Sequence, residues 1–312
     1  MPPRPIFYAF FSLLLSCCFV SNHTNSTPTL PEIIAHRGGT ADAPENTLAA
    51  IELAIKNKAD MIWLSVQLSK DDIPVLYRPA DLGALTNGSG TVADHSLAEL
   101  QNFNAGWNFK RAGTEDHPYR ENPAYIPSLE SALRAIPAKI KIILDMKALP
   151  AEKQTKAVAE LLTKENAWSR VWIYSTETEY QNAFATYSQA QLFESRDATR
   201  TRLAKVALGE GCENTPPNNT WTGFELQRDV TVTEKFTLGE GISALKARMW
   251  TPASVSCFRQ QENVQIVIFG INTAEDYASA ACLGANAVLS DSPEEMTKIR
   301  ANLQQQPISC QK

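Results

Sequence analysis

The stretch Ile33-Ile34-Ala35-His36-Arg37-Gly38-Gly39 decides the fold of this chain. Its three apolar residues predict a short buried strand, and the glycines that follow release the backbone. Pro44 then fixes a turn, and a segment with helical apolar spacing begins at Leu48. A strand that carries polar side chains to its C-terminal end and passes into a helix is the repeating unit of a β/α barrel. We therefore expect His36 and Arg37 to lie at the barrel mouth, the end at which the parallel strands finish.

Strand candidates alternate with helical segments along most of the 312 residues. About eight β/α units occur between residues 32 and 304 without an internal break, which predicts a single-domain (β/α)8 barrel of the TIM type, followed by a tail at 305–312. A net charge of −5 gives no sign of the basic surface that nucleic-acid binding requires, so no nucleic-acid partner is expected. The predicted strands are residues 33–36, 61–68, 74–78, 140–145, 171–174, 191–193, 264–269 and 287–289, with weaker candidates at 224–226 and 244–250.

The first twenty residues, 1–20, predict an export signal rather than a part of the fold. Residues 6–15 form an apolar run that is too short to span a bilayer and matches the core of a secretory signal peptide. Leu14-Leu15-Ser16-Cys17 resembles a bacterial lipoprotein box, which predicts that a lipid on Cys17 attaches the protein to a membrane. A plain cleaved signal peptide and an uncleaved anchor are the alternatives. Residues 21–31 then form a flexible linker. We expect a lipoprotein of the cell envelope, periplasmic or at the cell surface, or a secreted protein.

Export permits disulfide bonds between the cysteines of the predicted barrel. No Cys-x-x-Cys pair occurs in the sequence, which argues against a zinc site. Cys212 and Cys257 flank one stretch and are a candidate pair. The connectivity among these two, Cys282 and Cys310 stays open.

Several further motifs follow the first one in a characteristic order. As a set they resemble the glycerophosphodiester phosphodiesterase family from residue 33 to residue 303. The resemblance implies a TIM-type barrel and a substrate in which phosphate joins glycerol to another alcohol. It also implies two histidines that act as general acid and base around a divalent cation held by carboxylates. The motifs are His36-Arg37-Gly38, Pro44-Glu45-Asn46-Thr47, Lys70-Asp71, Thr86-Asn87-Gly88-Ser89-Gly90, Gly106-Trp107, Ile126-Pro127-Ser128-Leu129-Glu130, Asp145-Met146-Lys147 and Ser290-Asp291-Ser292-Pro293.

The chain departs from the family pattern at the metal positions. The Glu-x-Asp pair of the family falls on Trp63-Leu64-Ser65, and its second His-Asp pair falls on Arg78-Pro79. Glu45 and Asp145 remain as weak metal ligands, whereas Ca²⁺ and Mg²⁺ require several oxygen ligands. We therefore expect no cofactor, with a residual Ca²⁺ or Mg²⁺ ion as the alternative.

Four cationic side chains are predicted to converge on the barrel mouth. His36, Arg37, Arg78 and Lys147 are the candidate catalytic residues, and the last three are also the candidate substrate-binding residues. Arg78 cannot exchange a proton near neutral pH, but its planar guanidinium suits two phosphoryl oxygens at once. The expected ligand is a small-molecule phosphodiester or a phospholipid head group. The oligomeric state stays open.

Three hypotheses for function follow. The protein is an inactive phosphodiester-binding or interaction module of the cell envelope, or a phosphoric diester hydrolase in which Arg78 replaces the cation, or a weak metal-dependent hydrolase. The second route resembles the metal-independent bacterial phosphatidylinositol-specific phospholipases C, a related barrel family that uses an arginine. It needs a second acid–base group, for which His95 and His117 are candidates. Three plainer roles remain open: an Arg37–Glu45 structural ion pair, Trp63 as a filler of the lost metal site, and Asp291 as a helix cap.

Overall fold

The computed structural model of the protein describes residues 28–306 and 308–310. The predicted signal peptide, the lipid on Cys17 and most of the linker lie outside the described residues. No helix in the described part of the chain is both long enough and apolar enough to cross a membrane.

Strands and helices alternate through most of the described chain. The strands are β1 (Glu32–His36), β2 (Met61–Leu68), β3 (Pro74–Leu76), β4 (Lys141–Met146), β5 (Val171–Tyr174), β6 (Gln191–Leu192), β7 (Trp221–Glu225), β8 (Gln227–Phe236), β9 (Gly239–Arg248), β10 (Gln265–Phe269) and β11 (Ala287–Ser290). The α-helices are α1 (Leu48–Lys56), α2 (Leu97–Leu100), α3 (Leu129–Ala135), α4 (Ala151–Lys164), α5 (Thr178–Phe184), α6 (Arg196–Ala207), α7 (Pro252–Phe258), α8 (Ala274–Cys282) and α9 (Pro293–Gln305).

Eight of the strands form a nearly closed parallel barrel. They run in the order β6-β5-β4-β2-β1-β11-β10-β7. A parallel bridge between Phe193 and Trp221 brings β7 back towards β6, and the Glu194 backbone N–H donates to the Trp221 carbonyl at 2.8 Å. The predicted single-domain (β/α)8 fold is confirmed.

Large aromatic side chains fill the interior of the barrel. The ring of Trp63 lies 4.7 Å from that of Tyr174 and 5.4 Å from that of Phe269, measured between centroids. Alternate residues of a strand face the same side, so the positions two residues beyond this layer also face inwards. The inward positions at the mouth are those of His36, Ser65, Asp145, Glu225 and Asp291.

Two predicted strands differ from the observed ones. The segment predicted at 74–78 is β3, which ends at Leu76 and pairs antiparallel with β2 outside the barrel circuit. The weaker candidate at 244–250 overlaps β9, which pairs along its whole length with β8 in a hairpin that leaves the end of β7. Most residues of this hairpin are exposed, including Phe236 and Leu238. Its strands were hard to predict because they bury no continuous apolar face.

Two disulfide bonds connect loops and helices outside the barrel. Cys212 bonds to Cys257, as the sequence suggested, and links the long loop before β7 to α7. Cys282 bonds to Cys310 and ties the chain beyond α9 to the end of α8. Both bonds have Cα separations in the ordinary range, 5.5 and 5.4 Å.

Candidate active site

His36, the last residue of β1, is held by Asp291, which follows β11. The two atoms His36 Nδ1 and Asp291 Oδ1 are 2.7 Å apart. This hydrogen bond, helped by others from Thr40 and Asn272, lowers the pKa of Asp291 to about 2 against the opposing effect of burial. The carboxylate is therefore ionised at neutral pH and only accepts hydrogen bonds, so Nδ1 of His36 carries the hydrogen of this bond. The pair fixes the orientation of the His36 imidazole at the mouth.

Arg37 lies in the turn that joins β1 to α1 and is paired with Glu45. Its Nη1 donates to Glu45 Oε2 at 2.7 Å, and its carbonyl accepts the backbone N–H of Asn46 at 2.8 Å. The next residue, Gly38, has a φ of +85°, and a Cβ there would lie 2.8 Å from the Cβ of Ala50. Only glycine allows this close approach of the turn to the helix. The ion pair considered from the sequence is present, and it closes the turn over the barrel mouth.

Lys147, just beyond β4, is paired with Asp145. Its Nζ lies 2.9 Å from Asp145 Oδ1, and Ser65 Oγ donates to Asp145 Oδ2 at 3.4 Å. Burial raises the pKa of Asp145, while the Lys147 ammonium, the Trp63 indole N–H and Arg37 act to lower it. A carboxyl group buried this deep in the barrel remains ionised only with the help of a cationic neighbour, which here is Lys147.

The residues at the mouth do not fit a divalent cation. Within the described ranges, no group of three or more His, Cys, Asp or Glu side chains is arranged to hold a metal ion. Both predicted ligands, Glu45 and Asp145, are instead ion-paired with Arg37 and Lys147. Trp63, which the sequence predicts to replace a family carboxylate, is buried in the aromatic layer. The predicted weak metal site therefore has too few oxygen ligands and two cations already in place.

The hydrogen-bonding groups left without partners favour an anion. Three buried N–H groups of the described mouth have no partner at full hydrogen-bond geometry: Arg37 Nε, Asn46 Nδ2 and Trp63 Nε1, of which the last faces Asp145. Three carboxylate oxygens of the described mouth are in the same position: Glu45 Oε1, Glu225 Oε2 and Asp145 Oδ1, the last in ionic contact with Lys147. Buried polar atoms nearly always have a partner in folded proteins. Arg37 Nε and Asn46 Nδ2 are therefore N–H donors to spare, and such donors suit the oxygens of a phosphate.

Arg78 stands two residues beyond β3 and is exposed. Together with Lys147 it lines a pocket of about 460 Å³. Unlike His36, Arg37 and Lys147, it forms no salt bridge with the described residues. The sequence-based count of four cations against two carboxylates overlooked Asp291. With Asp291 included, His36, Arg37 and Lys147 each have a carboxylate partner, whereas Arg78 has none among the described residues.

The two loop histidines that the sequence suggested as a second acid–base group each contact a backbone carbonyl of their own loop. Nδ1 of His95 lies 3.0 Å from the Thr91 carbonyl, and Nδ1 of His117 lies 3.1 Å from the Phe109 carbonyl. In each case the imidazole holds together the irregular segment between β3 and α3. These contacts give both histidines a local structural role.

Sequence reasoning missed several polar residues of the mouth. Asp291 does not cap α9, because the side chain of Ser292 does so. Glu225 at the end of β7 was not anticipated either. The available signal was the alternation Trp221-x-Gly223-x-Glu225, which places every second residue of β7 on the inner wall of a barrel.

Comparisons with known proteins agree with this architecture. The model of the glycerophosphoryl diester phosphodiesterase family matches residues 36–295. The chain is 48% identical over 263 residues to the uncharacterized protein Rv2277c of Mycobacterium tuberculosis, covering 84% of this chain and 87% of that protein. The crystal structure of the glycerophosphoryl diester phosphodiesterase domain of Rv2277c matches with a TM-score of 0.82 at 46% identity, covering 87% of this chain and 100% of that one.

A more distant structure shares the fold. The phosphodiesterase of Oleispira antarctica, solved in complex with the product sn-glycerol-3-phosphate, has a TM-score of 0.64 and 22% identity, covering 88% of this chain and 97% of that one. The family match covers most of the chain and includes the strand ends at which His36, Asp145 and Lys147 lie. The chain therefore belongs to the glycerophosphoryl diester phosphodiesterase family.

Proposed function

We propose that the barrel mouth binds and hydrolyses a phosphodiester of glycerol without a divalent metal ion. The observation that carries the proposal is the pair of unpartnered N–H donors, Arg37 Nε and Asn46 Nδ2, which match the oxygens of a phosphate. The product named in the Oleispira structure, sn-glycerol-3-phosphate, carries a phosphate group whose oxygens accept such hydrogen bonds. Lys147 and Arg78 line one pocket, so both are placed to offset phosphate charge.

His36 acts in this proposal as the general base. Its Nε2 accepts a proton from the attacking water, whose oxygen forms a bond to phosphorus. The bond from phosphorus to the leaving alcohol oxygen then breaks, and that oxygen takes a proton from solvent. Arg37, Lys147 and Arg78 stabilise the negative charge that develops on the phosphoryl oxygens. Asp291 keeps the imidazole in the required tautomer.

A second candidate function is phosphodiester binding without turnover. One observation favours it. Among the described residues, His95 and His117 are held by loop carbonyls, so His36 is the histidine available at the strand ends. Hydrolysis of an alkyl phosphodiester is difficult without an acid for the leaving group.

The two candidates are separated by an assay of glycerophosphodiesters and inositol phospholipids with and without EDTA. We expect turnover that is insensitive to EDTA and falls about a hundredfold or more in His36→Ala and Arg78→Ala. Arg200→Ala, which changes an exposed arginine on α6, serves as the matched control. Turnover that disappears with EDTA contradicts the metal-free mechanism. Binding of the diester without turnover establishes the second candidate.

We also propose that the protein is exported and attached to a membrane by a lipid on Cys17. The two disulfide bonds of the described chain support export, because such bonds persist in oxidising compartments. Replacement Cys17→Ala is expected to abolish metabolic labelling with a fatty acid. Export without labelling of the natural chain identifies a periplasmic or secreted protein instead.

A further inference from the structure

A second polar cluster lies on the barrel mouth, on strands other than those of His36 and Lys147. It consists of Tyr174 at the end of β5, Arg196 at the start of α6 and Glu225 at the end of β7. Arg196 Nη2 donates to Glu225 Oε1 at 2.6 Å, and Arg196 Nη1 donates to the Tyr174 hydroxyl at 3.1 Å. Burial raises the pKa of Tyr174 to about 12, so its hydroxyl keeps its hydrogen at neutral pH. None of these three residues takes part in the mechanism above.

The cluster faces the interior of the barrel. Gly223, two residues before Glu225, lies against the Phe269 ring, where a Cβ would approach to 2.5 Å. The alternation of the strand therefore turns Glu225 inwards as well. The Tyr174 ring contacts Trp63, whose indole N–H lowers the pKa of Asp145. The aromatic layer thus connects this cluster to the Asp145–Lys147 pair.

The cluster has one acceptor and one donor to spare. Glu225 Oε2 is buried without a hydrogen-bond partner: Arg228 Nη1 lies 3.9 Å from it, and Arg196 donates to the other oxygen, Oε1. The Tyr174 oxygen accepts from Arg196, which leaves its own O–H free to donate. A ligand hydroxyl both donates and accepts hydrogen bonds, so it matches this pair. A phosphate does not, because the carboxylate of Glu225 repels it.

We propose that Tyr174, Arg196 and Glu225 form a subsite for a hydroxyl-bearing alcohol of the phosphodiester. The inference rests on the proposed function, which places the phosphate beside Lys147 and Arg78. Glu225 accepts a hydrogen bond from the alcohol, Tyr174 donates one, and Arg196 holds both side chains in position. The polyol is either glycerol or a head group such as inositol, since both offer neighbouring hydroxyls.

The subsite is tested by measuring the binding of three phosphate monoesters by calorimetry. Glycerol 3-phosphate and inositol 1-phosphate carry hydroxyls, and ethyl phosphate carries none. We expect the natural protein to bind at least one polyol phosphate about tenfold or more tightly than ethyl phosphate, as hydrogen bonds to a charged group allow. Whichever polyol shows this preference identifies the source of the alcohol. In Glu225→Gln, which keeps the shape and the bond to Arg196, the preference should fall to about twofold.

A matched control is Glu194→Gln, since Glu194 forms a buried pair with Arg202 one position beyond the inward-facing Phe193. This variant should keep the preference for polyol phosphates. Equal binding of all three esters by the natural protein overturns the subsite and leaves the proposed function standing. An equal loss for all three esters in Glu225→Gln also overturns it, because the residue then has only a structural role. Binding of none of the esters overturns the proposed function and the subsite with it.

Discussion

His36 and Asp291 lie 255 positions apart in the chain, yet their side chains meet at 2.7 Å. The contact exists because β1 pairs in parallel with β11, so that Ala35 lies opposite Ser290. The first and last strands of the barrel therefore build the proposed general base together. Loss of either strand end is expected to remove the acid–base chemistry of the site.

The hydrogen bond from His36 makes stability depend on pH. The pKa of Asp291 is about 2 in the folded protein and 3.8 in its ordinary state. A lowered carboxyl pKa stabilises the fold above the ordinary value, and this contribution is lost as pH falls from about 4 to about 2. Asp291→Asn should therefore lower the melting temperature at pH 7, with a difference from the natural protein that narrows towards pH 2. A difference in melting temperature that stays constant from pH 7 to pH 2 contradicts the lowered pKa of Asp291.

Removal of the Lys147 ammonium should be costly. Lys147→Met leaves Asp145 buried without its cationic partner, and breaking such a pair typically costs about 3 to 5 kcal/mol. Burial already raises the pKa of Asp145, and the substitution should raise it further. A carboxyl with a raised pKa is tolerated best when protonated, so the variant should lose stability as pH rises above about 4. Urea denaturation at pH 5 and pH 8 measures this. Lys153→Met, which changes an exposed lysine on α4, is the control.

Restoring the family residues should restore metal binding. The triple variant Trp63→Glu, Ser65→Asp and Arg78→His places carboxylates beside Asp145 and Glu45, and these compete with Lys147 and Arg37 for a cation. We expect measurable Ca²⁺ binding by calorimetry and weaker binding of phosphate in the absence of metal. Loss of the Trp63 ring from the aromatic layer should cost about 3 to 5 kcal/mol of stability. Calcium binding by the natural protein as tight as by the variant contradicts our description of the site.

Reduction of the Cys212–Cys257 bond should destabilise the protein without changing the mouth. The bond closes a loop of 45 residues, for which chain entropy predicts a loss of about 2 to 4 kcal/mol. The melting temperature of the double variant Cys212→Ser and Cys257→Ser should fall accordingly, while phosphate affinity at low temperature should be unchanged. A large loss of phosphate affinity places the loop before β7 in the binding site.

The sequence alone was enough for the architecture and for part of the site. Apolar runs that end in polar residues predicted β1, β2, β4, β5 and β10 within a residue or two, because buried parallel strands have to be apolar along their length. The same pattern placed His36, Arg37 and Lys147 at strand ends. The residues at 63–65 and 78 also indicated a mouth that differs from the family pattern.

Only the tertiary structure decided which charges meet. Strand pairing brings Asp291 to His36, and the register between β2 and β4 sets Ser65 opposite Asp145. Glu225 could not be recognised from the sequence as a residue of the mouth. Its inward orientation depends on β7, a short strand whose Gly223 packs against the Phe269 ring of β10. Local sequence determines where a strand begins and ends, whereas the neighbours of a side chain depend on the closure of the barrel. Closure of the barrel brings together residues that lie far apart in the chain. Their electrostatic pairing is therefore a property of the folded barrel alone.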